Sequence, residues 1–315
     1  MSLKSIIFLA FFIFSCKIYS QSVPQDSTKN LNITAFPVAF YTPETDFGFG
    51  GLGVATFWLN NEKRSTRPSS VQLGISYTTK NQFLGYFPFE LYTDNENWRL
   101  VGELGFYRYV YNYFGQGIYS LKEDLETYQV TFPRVRLSIL REIRSNFSIG
   151  IGYELDDFRN IKREENGLLE ASDVIGKNAG TVSNIGLLFF IQASYHVSSK
   201  LLGSNFNYSK YQFDNRYYQK LGKRQVLAAN LFFGSATDGI PFLDQFSLGG
   251  KRTRGLSPKR YQDNAESSLA LEYRFPISGR FGGVAFGSTG TVAPDFGSLF
   301  SSPYKNSGGV GLRYI

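Results

Sequence analysis

Histidine, cysteine and methionine are almost missing from this 315-residue chain, which has one of each. One His and one Cys are too few for a His/Cys metal centre, and they remove most His-dependent catalysis. Charge is scarce too, at 19%, where a soluble domain carries about 25%. Past the N-terminus no apolar run approaches the roughly 20 residues that a spanning helix needs. What fills the space is aromatic: Phe 30, Tyr 21 and Trp 2 make 17% of the chain, and 32 glycines accompany them. That aromatic content excludes a disordered chain.

The first twenty residues read as a cleavable export signal. Lys4 supplies the positive charge, Ile6–Phe14 the apolar centre, and Ser20 the small residue before Gln21. A second reading is a lipoprotein cut before Cys16, although Ile13 and Phe14 fit a lipobox poorly. Cleavage after Ser20 removes Lys4 and Lys17 and no acid, so the net charge falls from +7 to +5. It also removes the only cysteine, which excludes disulfide and thiol chemistry in the exported chain. A modest positive charge suits a surface near anionic lipid headgroups. No basic helical stripe points to nucleic acid.

After a short polar tail, 21–31, the dominant period from 32 to 315 is two. Val71, Leu73, Ile75 and Tyr77 alternate with Gln72, Gly74, Ser76 and Thr78. Leu269, Leu271, Tyr273 and Phe275 alternate with Ala270, Glu272, Arg274 and Pro276. Successive strand side chains point to opposite faces, so one face is apolar and the other small or polar. A soluble sheet turns the apolar face inward; a transmembrane barrel turns it to lipid and lines its lumen with Gly, Ser and charge. Segment length favours the all-β transmembrane antiparallel barrel, as does the export signal. So do the aromatics near segment ends (Tyr41, Trp58, Tyr77, Tyr92, Trp98, Tyr109), where interfacial girdles lie. Because hydrocarbon leaves no strand edge unpaired, the sheet is expected to close. Thirteen segments are legible, an odd number where single-chain bacterial barrels take even ones. The missing strand is expected within 172–204, which holds one long segment of uniform parity (Ile185 to Val197) and no obvious turn.

Other motifs are weaker. Gly48-Phe49-Gly50-Gly51-Leu52-Gly53 fits a dinucleotide loop, but strand-like residues follow it where a helix is required. His196 is expected to be structural or solvated. Asp156-Asp157 and Glu164-Glu165 fit a solvated loop better than a cation site. The basic stretch Lys251–Lys259 is either an anion-binding patch facing lipopolysaccharide or phosphate, or a charged loop with no ligand. No acid/base pair, nucleophile elbow or cofactor loop emerges, so neither an enzyme, a metal nor a cofactor is expected.

The stretch Phe242–Gly250, with Gly249-Gly250, then Thr253-Arg254-Gly255-Leu256, then Leu271-Glu272-Tyr273-Arg274-Phe275-Pro276 and Gly309–Arg313, resembles the BamA/TamA-type outer-membrane barrels, the bacterial surface-antigen family. The likeness is strongest over 240–315. It implies a sixteen-stranded barrel in the cell outer membrane that inserts or exports other proteins. It also implies a long loop, here about 238–266, folded into the lumen with its arginine on acidic wall residues. The matching arginine is Arg254. Glu272 matches one family acid, and its parity points it inward. The family's second acid is replaced by Ser288, and the aromatic after the motif glycine by Leu256. The chain stops near Tyr314, two strands short of the family pattern, and lacks the periplasmic repeats, so a barrel-only member is expected.

The expected mechanism is a weak seam between the first and last strands, Phe36, Val38 and Phe40 on one side and Val310, Leu312 and Tyr314 on the other, to which a client strand adds. Expected partners are outer-membrane lipid and lipopolysaccharide, unfolded outer-membrane clients and a second copy of the chain. A passive solute channel, with Arg99, Glu103, Arg134, Arg136, Asp214 and Arg216 setting ion preference, and a degenerate structural barrel are the alternatives.

Overall fold

The computed structural model describes residues 30–42, 45–59, 66–93, 95–144, 147–191 and 194–314. The expected signal 1–20, Cys16 and all but the end of the tail 21–31 lie outside the described residues. The wall is one antiparallel sheet of fourteen strands in chain order. Its first half is β1 (Leu31–Thr42), β2 (Asp46–Phe57), β3 (Ser69–Thr78), β4 (Phe83–Thr93), β5 (Trp98–Tyr113), β6 (Glu126–Arg144) and β7 (Phe147–Lys162). The second half is β8 (Thr181–Ile191), β9 (Ser194–Ser198), β10 (Tyr208–Gly222), β11 (Gln225–Ala236), β14 (Ala265–Ser278), β15 (Phe281–Ala293) and β16 (Lys305–Tyr314). The short β12 (Phe246–Ser247) and β13 (Gln262–Asp263) pair with each other inside the long connection.

The fourteenth strand was hidden in the long segment near 182–197, within the stretch where it is expected. Phe189 pairs with Tyr195 and Leu187 with Val197, so partners across the β8–β9 hairpin share parity. The period of two therefore runs unbroken through the reversal, and Gln192-Ala193 carries no Gly, Asn, Asp or Pro to mark it. The count is even, but it is fourteen where the resemblance implies sixteen. A second expectation also fails. Among the described residues β1 hydrogen-bonds only to β2 and β16 only to β15, so the sheet is open between its first and last strands and is not a closed cylinder.

Register carries one parity around the wall. Leu73, Ile75 and Tyr77 of β3 and Leu269, Leu271 and Tyr273 of β14 are exposed on the outer face. The opposite parity faces the lumen with Glu103, Arg134, Arg136, Glu154, Asp156, Glu266 and Glu272. Tyr92 and Tyr109 belong to this inward set. Tyr92 is buried with its hydroxyl on Glu90, and Tyr109 packs beside Tyr111 at 4.7 Å, so neither is in a lipid-facing girdle. Nearness to a strand end does not reveal which face a residue takes.

The connections alternate in length. At one end they are mostly long (114–125, 163–180, 199–207, 237–264, 294–304); at the other, 223–224 and 279–280 are tight. The best-packed interior lies at the loop end. Tyr113, Tyr128, Val130, Phe132, Phe158, Val182, Phe242 and Leu243 form one apolar cluster, joined by Leu169 of the four-residue helix α1 (Leu168–Ala171). The wall is uneven in height: β5, β6 and β7 have 16, 19 and 16 residues, whereas β1, β2, β3 and β16 have 12, 12, 10 and 10.

Two inward glycines are required by their cross-strand neighbours. The ring of Phe40 lies on Gly48, and that of Tyr86 on Gly74, where an added Cβ would overlap the ring. Such pairs let an aromatic cover backbone that glycine leaves bare. Gly74→Val should lower stability by about 1–3 kcal/mol, as overpacking does, read as a shift in the denaturant midpoint of the refolded barrel. Adding Tyr86→Ala should recover part of that loss. Additive losses in the double variant would reject the pairing.

Candidate functional site

The connection 237–264 leaves β11, enters the lumen and returns to β14, and most of its side chains have named partners on the walls. Phe242 meets Tyr113 and Tyr128 edge-on at 6.1 and 5.3 Å. Asp244 accepts from the Tyr208 hydroxyl at 2.7 Å and pairs with Lys210 at 3.1 Å. Phe246 lies on Gly234 and beside Phe232. On the returning arm Lys259 donates to the Tyr128 hydroxyl at 3.1 Å, and its ammonium sits 4.1 Å over the Tyr111 ring. Gln116, in the β5–β6 connection, donates to Asp263 at 3.0 Å. The loop therefore touches both the β5–β6 wall and the β10–β16 wall, filling the loop end of the lumen between them.

Two arginines on alternate loop positions reach two glutamates on β14. Arg254 meets Glu272, and its guanidinium stacks 3.9 Å over Phe286 of β15. Glu272 also accepts from Arg274 at 2.5 Å, so one carboxylate serves two guanidiniums. Ser288, standing where the family's second acid is expected, pairs with Ser307 of β16 at 2.7 Å and contributes no charge. Gly255, at φ +97°, faces the same Ser307; Gly249 and Gly250, at +109° and +64°, supply the left-handed backbone that reverses the loop.

Arg252 is read from the sequence only as part of the basic stretch Lys251–Lys259, not as the partner of a wall acid. It grips Glu266 through two bonds of 3.0 and 2.7 Å, and it stacks 3.9 Å over Phe232. The Glu266 side chain is 0% exposed, against 17% for Glu272. A two-pronged guanidinium–carboxylate contact in a water-poor site fixes both position and orientation. The available signal was parity: Arg252 shares that of Arg254, and Glu266 that of Glu272. No motif marks Arg252, so the resemblance did not reveal it.

The remaining inward charges are mostly paired. Arg134 bridges Asp156 at 2.6 Å and Glu103 at 3.5 Å, Arg136 meets Asp156 at 2.7 Å, and Arg99 meets Glu90 at 2.6 Å. Asp214 holds Arg216 at 2.7 Å. Asp156 and Asp157 are thus not a solvated loop: β7 runs past them to Lys162, and Asp157 pairs with Arg159 and Ser183. Glu164 does lie in a connection, where it caps Thr127. His196 is 3% exposed and structural, with its ring on Gly186 and edge-on to Tyr208 at 5.9 Å. The glycine run 48–53 lies within β2, and strand, not helix, follows it to Phe57.

The seam residues are not brought face to face. Phe36, Val38 and Phe40 take the inward parity of β1, whereas Val310, Leu312 and Tyr314 take the outward parity of β16. Val310 and Leu312 are 85% and 80% exposed, as expected of a strand with no neighbour on one side.

The antiparallel wall is similar in fold to two solved structures, a BamA and a CdiB. BamA from Haemophilus ducreyi, in a crystal structure lacking POTRA domains 1–3, superposes with a TM-score of 0.55 at 17% identity, over 90% of this chain and 64% of that one. CdiB from Acinetobacter baumannii superposes with a TM-score of 0.53 at 13% identity, over 91% of this chain and 54% of that one. The chain thus spans under two thirds of either neighbour. No family model and no curated protein matches the sequence.

The two clasps predict different losses. Arg252→Ala leaves the buried Glu266 carboxylate without its partner, which costs about 3–5 kcal/mol in buried pairs. The loop should then be cut by added protease in whole cells. Arg254→Ala leaves Glu272 still held by Arg274 and should give weaker cleavage. Equal protection in both variants would reject the clasps as anchors.

Proposed function

We propose that the chain is an outer-membrane barrel that inserts or exports other polypeptides, with the seam between β1 and β16 as its working edge. The observation that carries this reading is the pair of terminal strands, each hydrogen-bonded on one side only in an otherwise continuous sheet. In hydrocarbon every backbone N–H and C=O must find a partner, so such an edge is a site for strand addition. The signal-like N-terminus supplies a route to the outer membrane, and the loop end faces outward by the rule that outer loops are long and periplasmic turns short. Lipid and lipopolysaccharide surround the outward apolar face. Unfolded outer-membrane proteins are the clients, and a second copy of the chain is a further partner for the same edge. The loop clasped by Arg252 and Arg254 keeps the lumen shut while the seam works.

Cysteines placed in 36–40 and in 309–312 should test the seam, because the chain past residue 20 has no other cysteine. Oxidised pairs should stop client assembly or secretion, and reductant should restore it. Full activity in the locked protein would overturn the reading.

The loop packed across the lumen weighs against a passive solute channel. In planar bilayers the protein should show low, flickering conductance, and removal of 248–258 should produce a steady open pore. A steady pore in the unaltered protein would favour the channel.

A further inference from the structure

A cavity of about 540 Å³ lies between the lumenal loop and the wall near the mouth of the barrel. The loop contributes Ser247–Arg252 with Pro258 and Lys259, and the wall contributes Thr42, Tyr109, Tyr111 and Asn112. Among the described residues its charges are all of one sign: Lys251, Arg252 and Lys259 line it, and no carboxylate does. Of these three, Arg252 is committed to Glu266. Neither Lys251 nor Lys259 joins an ion pair among the described residues, and Asp244, whose charge acts on Lys259, is already bonded to Lys210 and Tyr208. Lys259 is held in place by the Tyr128 hydroxyl and the Tyr111 ring, its backbone at φ +61°. Burial pushes its ammonium down to about 8, and the charge of Asp244 offsets only part of that cost. Elsewhere in the lumen most arginines are matched to acids; here two lysines face a cavity that a ligand can enter.

We propose that this cavity binds a phosphate-bearing anion, with Lys259 and Lys251 as its cationic ligands and the Tyr111 hydroxyl as a further hydrogen-bond donor. Lysine binds phosphate as a point charge and asks for no planar geometry. The volume exceeds what inorganic phosphate needs and accommodates a phosphorylated sugar, so the source is either a membrane headgroup or a free anion. The proposal does not depend on what the seam does.

The test uses the full chain purified in a neutral, phosphate-free detergent. Inorganic phosphate titrated into the protein should give one saturable site by calorimetry, weakened about tenfold or more, the equivalent of 1.4 kcal/mol, in K259M and further in K251M/K259M. Both variants should still fold, read by heat-modifiable mobility on gels, although K259M gives up the Tyr128 contact. Organic-extractable phosphorus that co-purifies with the parent and is lost from the double variant would assign the source to a headgroup; saturable binding without it would assign a free anion. Equal binding by parent and double variant would overturn the site, as would no phosphate binding together with no co-purified phosphorus. If the variants do not fold, acylation of the parent's lysines is read by mass spectrometry with and without phosphate. Protection at Lys259 supports the site, and equal labelling overturns it.

Discussion

The demand of the backbone for hydrogen-bond partners sets the terms for everything else in this protein. In hydrocarbon an unmatched amide costs several kcal/mol, and thirteen of the fourteen places around the wall where two strands could meet are occupied by ladders. The remaining one, between β1 and β16, concentrates the whole deficit in one place. The rest of the molecule accommodates it. The outer face is apolar, as a wall in lipid requires, the inner face is charged and largely neutralised, and the loop packs across the lumen without closing the sheet.

The loop is fixed by a different physics from the wall. The wall is specified by alternation, a property shared by every strand, whereas the loop is specified by individual contacts. Arg252 and Arg254 reach β14, Asp244 reaches β10, and Phe242 and Lys259 reach β5 and β6. Two of these grips land on one strand, so β14 carries both the exit of the loop and its clasps. Glu272 between Arg254 and Arg274 reverses the arrangement that the family resemblance implies: one acid holds two bases, where two acids hold one.

What could be read from the sequence follows from this division. Alternation exposed the architecture and most strand positions, because residues such as Leu73 and Ile75 can face only one way once the register is set. It failed at β8 and β9, where the hairpin preserves parity and no turn residue interrupts the pattern. It also failed for Tyr92 and Tyr109, whose inward side chains only the register reveals. Openness at the seam is a fact about two strands distant in sequence, and local pattern carries no information on it. Arg254 and Glu272 were legible through a motif. Arg252 and Glu266 were not, since nothing marks two charged residues as partners until the loop is seen to fold back between them.

The differing strand lengths give the molecule a tall side and a low side. At about 3.4 Å per residue and a tilt near 40°, the nineteen residues of β6 rise about 50 Å, whereas the ten of β16 rise about 26 Å. A hydrocarbon layer near 30 Å is overtopped on one flank and barely matched on the other. The tall flank lies halfway around the sheet from the seam, so it stands as a parapet at the back of the barrel. The low front, with the least height to set against such a layer, is also where the two strands without a second neighbour stand.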